Sequence, residues 1–275
     1  MKKMKIGFSP CPNDTFIFDA LIHDKIDTEG LKFEVIMADV EELNQRAFRG
    51  DLAITKLSYH AFFHVLKTYV MMDSGSALGT NCGPLLIKNQ GDSNPLSEDL
   101  IAIPGKYTTA NFLLNFAFPS LQHKKEMLFS DIESAVRENE VKAGLIIHEN
   151  RFTYSDRGFE KVSDLGAYWE QETNTPIPLG GIAIDRSLDR DIQHKVQRLI
   201  RKSISYAFEN PMDSSAFVRA NAQEMNEDVM RKHIDLYVND YSLSLGEKGK
   251  EAVGKMYDFM LAKGHVKSSE NLLFI

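Results

Sequence analysis

Leu100-Ile101-Ala102-Ile103-Pro104-Gly105-Lys106-Tyr107-Thr108-Thr109-Ala110-Asn111-Phe112 repeats, in kind though not in letters, the order of Lys5-Ile6-Gly7-Phe8-Ser9-Pro10-Cys11-Pro12-Asn13-Asp14-Thr15-Phe16. Each stretch reads as a short apolar strand, a proline-containing loop, a hydroxyl cap and a helix led by an aromatic residue. Further on, Ser130-Asp131-Ile132-Glu133 echoes Asp39-Val40-Glu41-Glu42, an acidic cap with a glutamate three residues later, as in a capping box. Gly144-Leu145-Ile146-Ile147 likewise matches the strand Leu52-Ala53-Ile54, which leads into Thr55-Lys56-Leu57-Ser58. Residue identity between the halves is low, so the repeat is one of pattern. Two similar βα halves predict an α/β protein of two lobes that share a ligand cleft. Residues 1–90 with 185–275 are assigned to the first lobe and its C-terminal helices, and residues 91–184 to the second. Residues 88–99, polar and containing Pro95, are the expected hinge, and Gly180 and Gly181 the return crossing.

In an open α/β sheet, ligands sit beyond the carboxyl ends of the strands. Four junctions are therefore expected to converge: residues 9–15, 56–58, 107–110 and 148–151. The last is the most pointed, because the apolar run Leu145-Ile146-Ile147, read as a strand buried on both faces, ends on His148. An imidazole with a pKa of roughly 6.5 is mostly neutral at pH 7 and can accept a proton. The alternative is a histidine that only bonds a neighbouring backbone group. By the alignment of the halves His148 falls close to Thr55 and Lys56. Asp14 is read as a cap for the helix carrying Phe16, Ile17, Ala20 and Leu21, whose first turn can hold a carboxylate or phosphate.

The rest of the chain reads as scaffold. Residues 31–37 alternate as an outer strand, Leu43, Ala47 and Phe48 face inward on a helix ended by Gly50, and residues 59–66 form an aromatic-rich helix. Ile192, Val196, Leu199 and Ile200 recur at helical spacing, as do Val253, Met256, Tyr257 and Met260 before Gly264. Arg198, Arg201 and Lys202 read as a solvated basic face, and Met225 and Met230 as core filler.

Composition excludes several classes of function. The 275 residues are 43% apolar and 26% charged with a formal net charge of −7, so no broad basic field invites nucleic acid. No apolar run reaches the roughly 20 residues of a membrane span, and residues 1–8 lack the apolar region an export signal needs, so a cytoplasmic location is expected. Cys11 and Cys82 are too few for a disulfide framework, and Cys11 reads as a packed small residue. His60 and His64 are spaced i, i+4, but Ala61 stands where a zinc-protease motif carries its glutamate, so helix packing or solvent is the default reading. There is no GxGxxG after a strand, no GxxxxGK[ST] and no GxSxG. What remains, hydroxyls with one lysine and one histidine, suits general-base chemistry on a small anionic molecule.

Ser9-Pro10-Cys11-Pro12-Asn13-Asp14-Thr15-Phe16-Ile17-Phe18, with Thr55-Lys56-Leu57-Ser58, Tyr107-Thr108-Thr109-Ala110 and Gly144-Leu145-Ile146-Ile147-His148-Glu149-Asn150-Arg151-Phe152-Thr153-Tyr154, resembles the 1,4-dihydroxy-6-naphthoate synthase family of the futalosine route to menaquinone. The resemblance runs over nearly the whole chain. It implies a fold like that of the type II periplasmic binding proteins, each lobe a mixed sheet flanked by helices. It also implies a carbon–carbon lyase that splits cyclic dehypoxanthine futalosine into 1,4-dihydroxy-6-naphthoate and dihydroxyacetone, with neither metal nor organic cofactor. The family's catalytic base falls on His148, and its substrate contacts on Lys56, Leu57, Ser58, Thr109 and Ala110. Lys56, or the amides at a helix N-terminus, would hold the substrate carboxylate. One departure is Asn81, where the family is expected to carry glycine; asparagine tolerates left-handed backbone better than other non-glycine residues. A small-molecule carboxylate is the expected partner, with no nucleic acid, membrane or obligate protein partner. The rival readings are a chorismate dehydratase-like enzyme of the same pathway and a non-catalytic small-anion binding protein.

Overall fold

The computed structural model describes residues 3–222 and 226–275, so the expectations for Met225, Met1 and Lys2 lie outside the described residues. Eleven strands occur among the described residues. They are Met4–Phe8 (β1), Phe33–Met37 (β2), Ile54–Ser58 (β3), Tyr69–Met71 (β4), Ala77–Gly79 (β5), Leu85–Asn89 (β6), Ile101–Ile103 (β7), Lys124–Glu126 (β8), Ala143–Ile146 (β9), Phe159–Asp164 (β10) and Ile177–Asp185 (β11). The chain divides into two compact units, one of Met1–Gly79 with Pro178–Ile275 and one of Thr80–Ile177. The expected boundaries at residues 90 and 185 differ from these. β6 pairs with β9 and β10 in the second sheet, and β11 pairs with β3 and β4 in the first. The polar stretch that invited a hinge therefore begins inside β6.

In the first unit the sheet runs β2-β1-β3-β11-β4, with β5 also paired to β11. β1 is parallel to β2 and β3, whereas β11 is antiparallel to β3 and β4. The helix Pro12–Ile22 leaves β1 and is buried along nearly its whole surface, not on the single face expected. It packs against the helices Arg190–Glu209, Ser215–Asn221 and Glu227–Tyr237, so Phe18 reaches Phe8 (ring centroids 4.4 Å apart) while Ser203 Oγ donates to the Ile17 carbonyl at 2.6 Å. The core gathers Ile54, Ile182, Val196, Leu199 and Ile200, with Met230 among them. Val253, Met256 and Met260 are buried on the helix Gly246–Ala262.

The second unit repeats that plan. Its sheet runs β8-β7-β9-β6-β10, with β7 parallel to β8 and β9 and β6 antiparallel to β9 and β10. β7, β8, β9 and β6 thus stand where β1, β2, β3 and β11 stand in the first. The helix Thr109–Ala117 corresponds to Pro12–Ile22, and its Phe112 and Phe116 pack on the buried Trp169 at 6.1 and 5.2 Å.

Local chemistry accounts for several boundaries. Asp39 caps the helix Val40–Arg49 by accepting from the amides of Glu41 and Glu42, and Gly50 ends it at φ 70°. Glu42 turns to Arg46 at 2.9 Å rather than back to the cap. In the counterpart, Ser130-Asp131-Ile132-Glu133 forms no side-chain cap for the helix Ile132–Arg137. Glu133 is buried and pairs with Arg157 at 3.0 Å, which removes it from any capping role. The aromatic helix expected over residues 59–66 is only Tyr59–Phe62, because the chain must turn back to lay Tyr69–Met71 beside β11. Arg198 and Lys202 are exposed and hold Glu29 at 2.7 and 3.0 Å, lowering its carboxyl to about 2, so the basic face is an ion-paired one.

Gly83 and Gly166 meet backbone to backbone. A Cβ on Gly83 would lie 2.3 Å from both the Cα and N of Gly166. Since neither backbone can yield, Gly83→Ala is expected to destabilise the protein by about 1–3 kcal/mol, read as a lower urea midpoint with an unchanged m-value.

Candidate functional site

In each unit the parallel strands end on the residues singled out from sequence. β1 runs into Ser9-Pro10-Cys11, and Cys11 occupies the N-cap of the helix Pro12–Ile22 without a side-chain cap bond. Asp14 folds back instead of capping. Its Oδ2 accepts from the Ser9 amide at 3.1 Å and the Ser9 hydroxyl at 2.7 Å, and its Oδ1 accepts from Asn13 Nδ2 at 2.9 Å. The same Oδ1 lies 3.1 Å from Lys56 Nζ, which also donates to the Gly75 carbonyl at 3.2 Å. Asp14 is 1% and Lys56 7% exposed, so this is a buried ion pair with further hydrogen bonds on both partners.

Lys56, Leu57 and Ser58 lie inside β3, not past its end as the Leu52-Ala53-Ile54 reading had it. The displacement arises because β11 extends the ladder, pairing Ile182 with Lys56 and Gly180 with Ser58. Ser58 is held by a residue that sequence reasoning missed. Asn44 Oδ1 accepts from the Ser58 amide at 3.0 Å, and Asn44 Nδ2 donates to the Ser58 hydroxyl at 3.3 Å. A signal was present: Asn44 is a polar residue within the apolar stripe of Leu43 and Ala47 on an otherwise amphipathic helix.

In the second unit Thr108 caps the helix Thr109–Ala117, its Oγ1 accepting from the Asn111 amide at 3.2 Å and donating to the Gly105 carbonyl at 2.8 Å. Thr109 and Ala110 are therefore the first two helical residues, both buried, at the positive end of the helix. Lys124 Nζ donates to Asn111 Oδ1 at 3.0 Å and to Asn115 Oδ1. Burial lowers its ammonium to about 8.

β9 ends at Ile146, one residue before the expected end, and Ile147 is extended. His148 then turns left-handed at φ 60° and opens a 3₁₀ turn over His148–Phe152. Histidine is one of the few side chains enriched there, and such a residue costs roughly 1–3 kcal/mol that its surroundings must offset. The half-buried imidazole lies edge-on to Phe129, centroids 4.7 Å apart. Arg151 fixes the turn by donating to the Gly83 carbonyl and to Asp164 Oδ2 at 3.3 Å. Asp164 Oδ1 in turn caps the helix Leu165–Thr173.

Strand register corrects one alignment. Ile6 pairs with Ile54 and Ile101 with Ala143. Counted from those pairs, His148 matches Tyr59, not Thr55 or Lys56, and both open a helical turn directly after the strand. Tyr59 is wholly buried with its hydroxyl 2.7 Å from Ser76 Oγ, and burial pushes its phenol pKa up. The same position thus carries a sealed group in one unit and a half-exposed imidazole in the other.

Asn81 adopts φ 55°, with its amide donating to Glu170 Oε1 at 2.8 Å, so asparagine takes the left-handed geometry a glycine would provide. Both cysteines are buried and outside any disulfide, and burial pushes the Cys82 thiol up to about 12. Among the described residues no three His, Cys, Asp or Glu side chains gather as metal ligands, and no helix is long and apolar enough to cross a membrane.

Two mixed sheets, each of three parallel strands with an antiparallel strand beside the third, define the class of fold found in periplasmic solute-binding proteins. The aliphatic sulphonate binding protein of Escherichia coli superposes with a TM-score of 0.66 at 10% identity over 99% of this chain and 90% of that one. A crystal structure of a protein from Archaeoglobus fulgidus superposes with a TM-score of 0.91 at 34% identity, over 96% and 98% of the two chains. The chain belongs to the menaquinone biosynthesis family, whose model matches residues 4–262. It is 41% identical over 275 residues, the whole of both chains, to a protein of Thermus thermophilus named 1,4-dihydroxy-6-naphthoate synthase. A protein of the same name from Streptomyces coelicolor is 38% identical over 268 residues, 96% of this chain and 94% of that one.

The ion pair generates a stability prediction. Asp14→Asn leaves the Lys56 ammonium buried without its carboxylate, so a loss of about 3–5 kcal/mol is expected by urea denaturation. Double replacement of Asp14 and Lys56 by Asn and Met should recover part of that loss.

Proposed function

We propose that the protein is a 1,4-dihydroxy-6-naphthoate synthase, a carbon–carbon lyase that converts cyclic dehypoxanthine futalosine to 1,4-dihydroxy-6-naphthoate and dihydroxyacetone. The observation that carries the reading is the 41% identity to an enzyme of that name along the entire chain. The local geometry supports it: a half-buried histidine is held at left-handed φ just past a strand end, beside Phe129 and in a turn braced by Arg151.

In this reading neutral His148 takes a proton from the substrate. The electron pair released drives cleavage of the C–C bond in a retro-aldol-like step, and formation of the aromatic naphthoate ring makes the step favourable. The proton passes to the departing fragment, so the reaction is redox-neutral. Ser58, Thr109 and the backbone at Leu57 and Ala110 contact the substrate. Lys56 is tied to Asp14 and Gly75, which leaves the positive end of the helix Thr109–Ala117 as the better seat for the carboxylate. Lys56 then keeps β3 and its hydroxyl-bearing end in place.

His148→Asn is the informative variant, because asparagine tolerates the left-handed backbone but cannot act as the base. Its kcat for naphthoate release, followed by absorbance, is expected to fall by about 10²- to 10⁴-fold, while thermal stabilisation by the product persists. Wild-type protein that binds the cyclic futalosine derivative without releasing naphthoate would favour a plain binding protein. Turnover of chorismate instead would assign the sister dehydratase. Activity is also expected to survive dialysis against chelator.

A further inference from the structure

The helix Glu227–Tyr237 delivers His233 into the first unit with no exposed surface. Its Nε2 lies 2.9 Å from Asn13 Oδ1. Asn13 uses its amide nitrogen on Asp14 Oδ1 at 2.9 Å, so its oxygen must accept and His233 Nε2 must carry the proton. Asp14 then holds the Ser9 loop with one oxygen and Lys56 with the other. We infer that His233 is a positioning residue: its bond to Asn13 Oδ1 restrains the amide that holds Asp14, and through Asp14 it steadies Lys56 and the strand that ends in Ser58. The inference rests on the reading of Lys56-Leu57-Ser58 as a substrate-contacting segment.

The physical reason is the ambiguity of an amide. An Asn13 side chain rotated by half a turn would present its oxygen to the Asp14 carboxylate, where two acceptors repel. The Asp14 carboxylate, which can only accept, disfavours that alternative, and the Nε2–H of His233 then adds a second bond that keeps the amide in place. Because Nε2 carries its proton in both this neutral tautomer and the imidazolium, the orientation holds in either charge state. Tyr237, one turn on, lies with its ring centroid 4.6 Å from the imidazole and holds the ring from the side.

The test has one arm independent of turnover. Lys56 is buried and paired, so in the wild type it should be acetylated slowly by a water-soluble reagent, read by mass spectrometry. His233→Ala is expected to speed that labelling by about tenfold, the factor that corresponds to one lost hydrogen bond, and His233→Gln, which restores an N–H donor, to bring it back toward wild type. Asn13→Ala should reproduce the fast labelling, and the His233→Ala/Asn13→Ala double variant should be no faster than Asn13→Ala alone. Val238→Ala, a buried truncation beside the same helix that removes no hydrogen bond to Asn13, should speed the labelling far less than His233→Ala. With the cyclic substrate, His233→Ala should raise KM by about tenfold with kcat little altered, since only placement of the binding segment is lost. Wild-type labelling in Asn13→Ala, additive effects in the double variant, or equal acceleration by Val238→Ala would overturn the inference. Should the wild type release no naphthoate, the proposed reaction fails while the labelling arm still decides the role of His233.

Discussion

A carboxylate and an ammonium 3.1 Å apart, both removed from water, tie β3 to the loop and helix that follow β1. The cost of desolvating Asp14 and Lys56 is offset in part by the dipoles that face them: the Ser9 amide and hydroxyl, the Asn13 amide and the Gly75 carbonyl. The contacts span a loop after β1, the first turn of a helix, the middle of β3 and a loop beyond β4. One ion pair therefore sets four chain segments relative to each other. Ser58, two residues beyond Lys56 along β3, inherits its position from that registration and from Asn44.

The second unit distributes the same task over several separate contacts. A hydroxyl cap at Thr108, a Lys124–Asn111 bond and the less deeply buried Arg151–Asp164 pair take the place of the Asp14–Lys56 pair. Because Arg151 reaches the Gly83 carbonyl and Asp164, the turn bearing His148 is braced against the connection into β6 and the start of a helix. That bracing offsets the left-handed backbone. Tyr59, in the equivalent place, needs none, and is closed off by Ser76.

The pattern of the halves was legible because it rests on local signals. Asp39 and Gly50 bounded their helix through capping and a left-handed stop, and the repeated order of strand, loop and helix foretold two similar halves, though not the strand order within each sheet. The first helix was recognised, but its burial on all sides was not, since the three helices that cover it come from residues 190 onward. β3 was placed too early because nothing local reveals that β11, more than a hundred residues later, continues the ladder through Ser58. His148 was found from the abrupt end of an apolar run. Asn44 and His233 were not, because each acts on a residue distant in the chain and neither belongs to a recognisable motif. The capping box expected at Ser130 failed for a related reason, as Arg157 claims its glutamate.

β11 is an interior strand of the first sheet, yet it is made only after the whole of Thr80–Ile177. On a ribosome adding roughly 5–20 residues per second, the early part of the chain waits several seconds with the flank of β3 unpaired. The inserted half is contiguous and is complete first, although its translation begins second. The nascent protein therefore matures from the middle outward, and the open flank of β3 is the place where a chaperone or a wrong strand would find it.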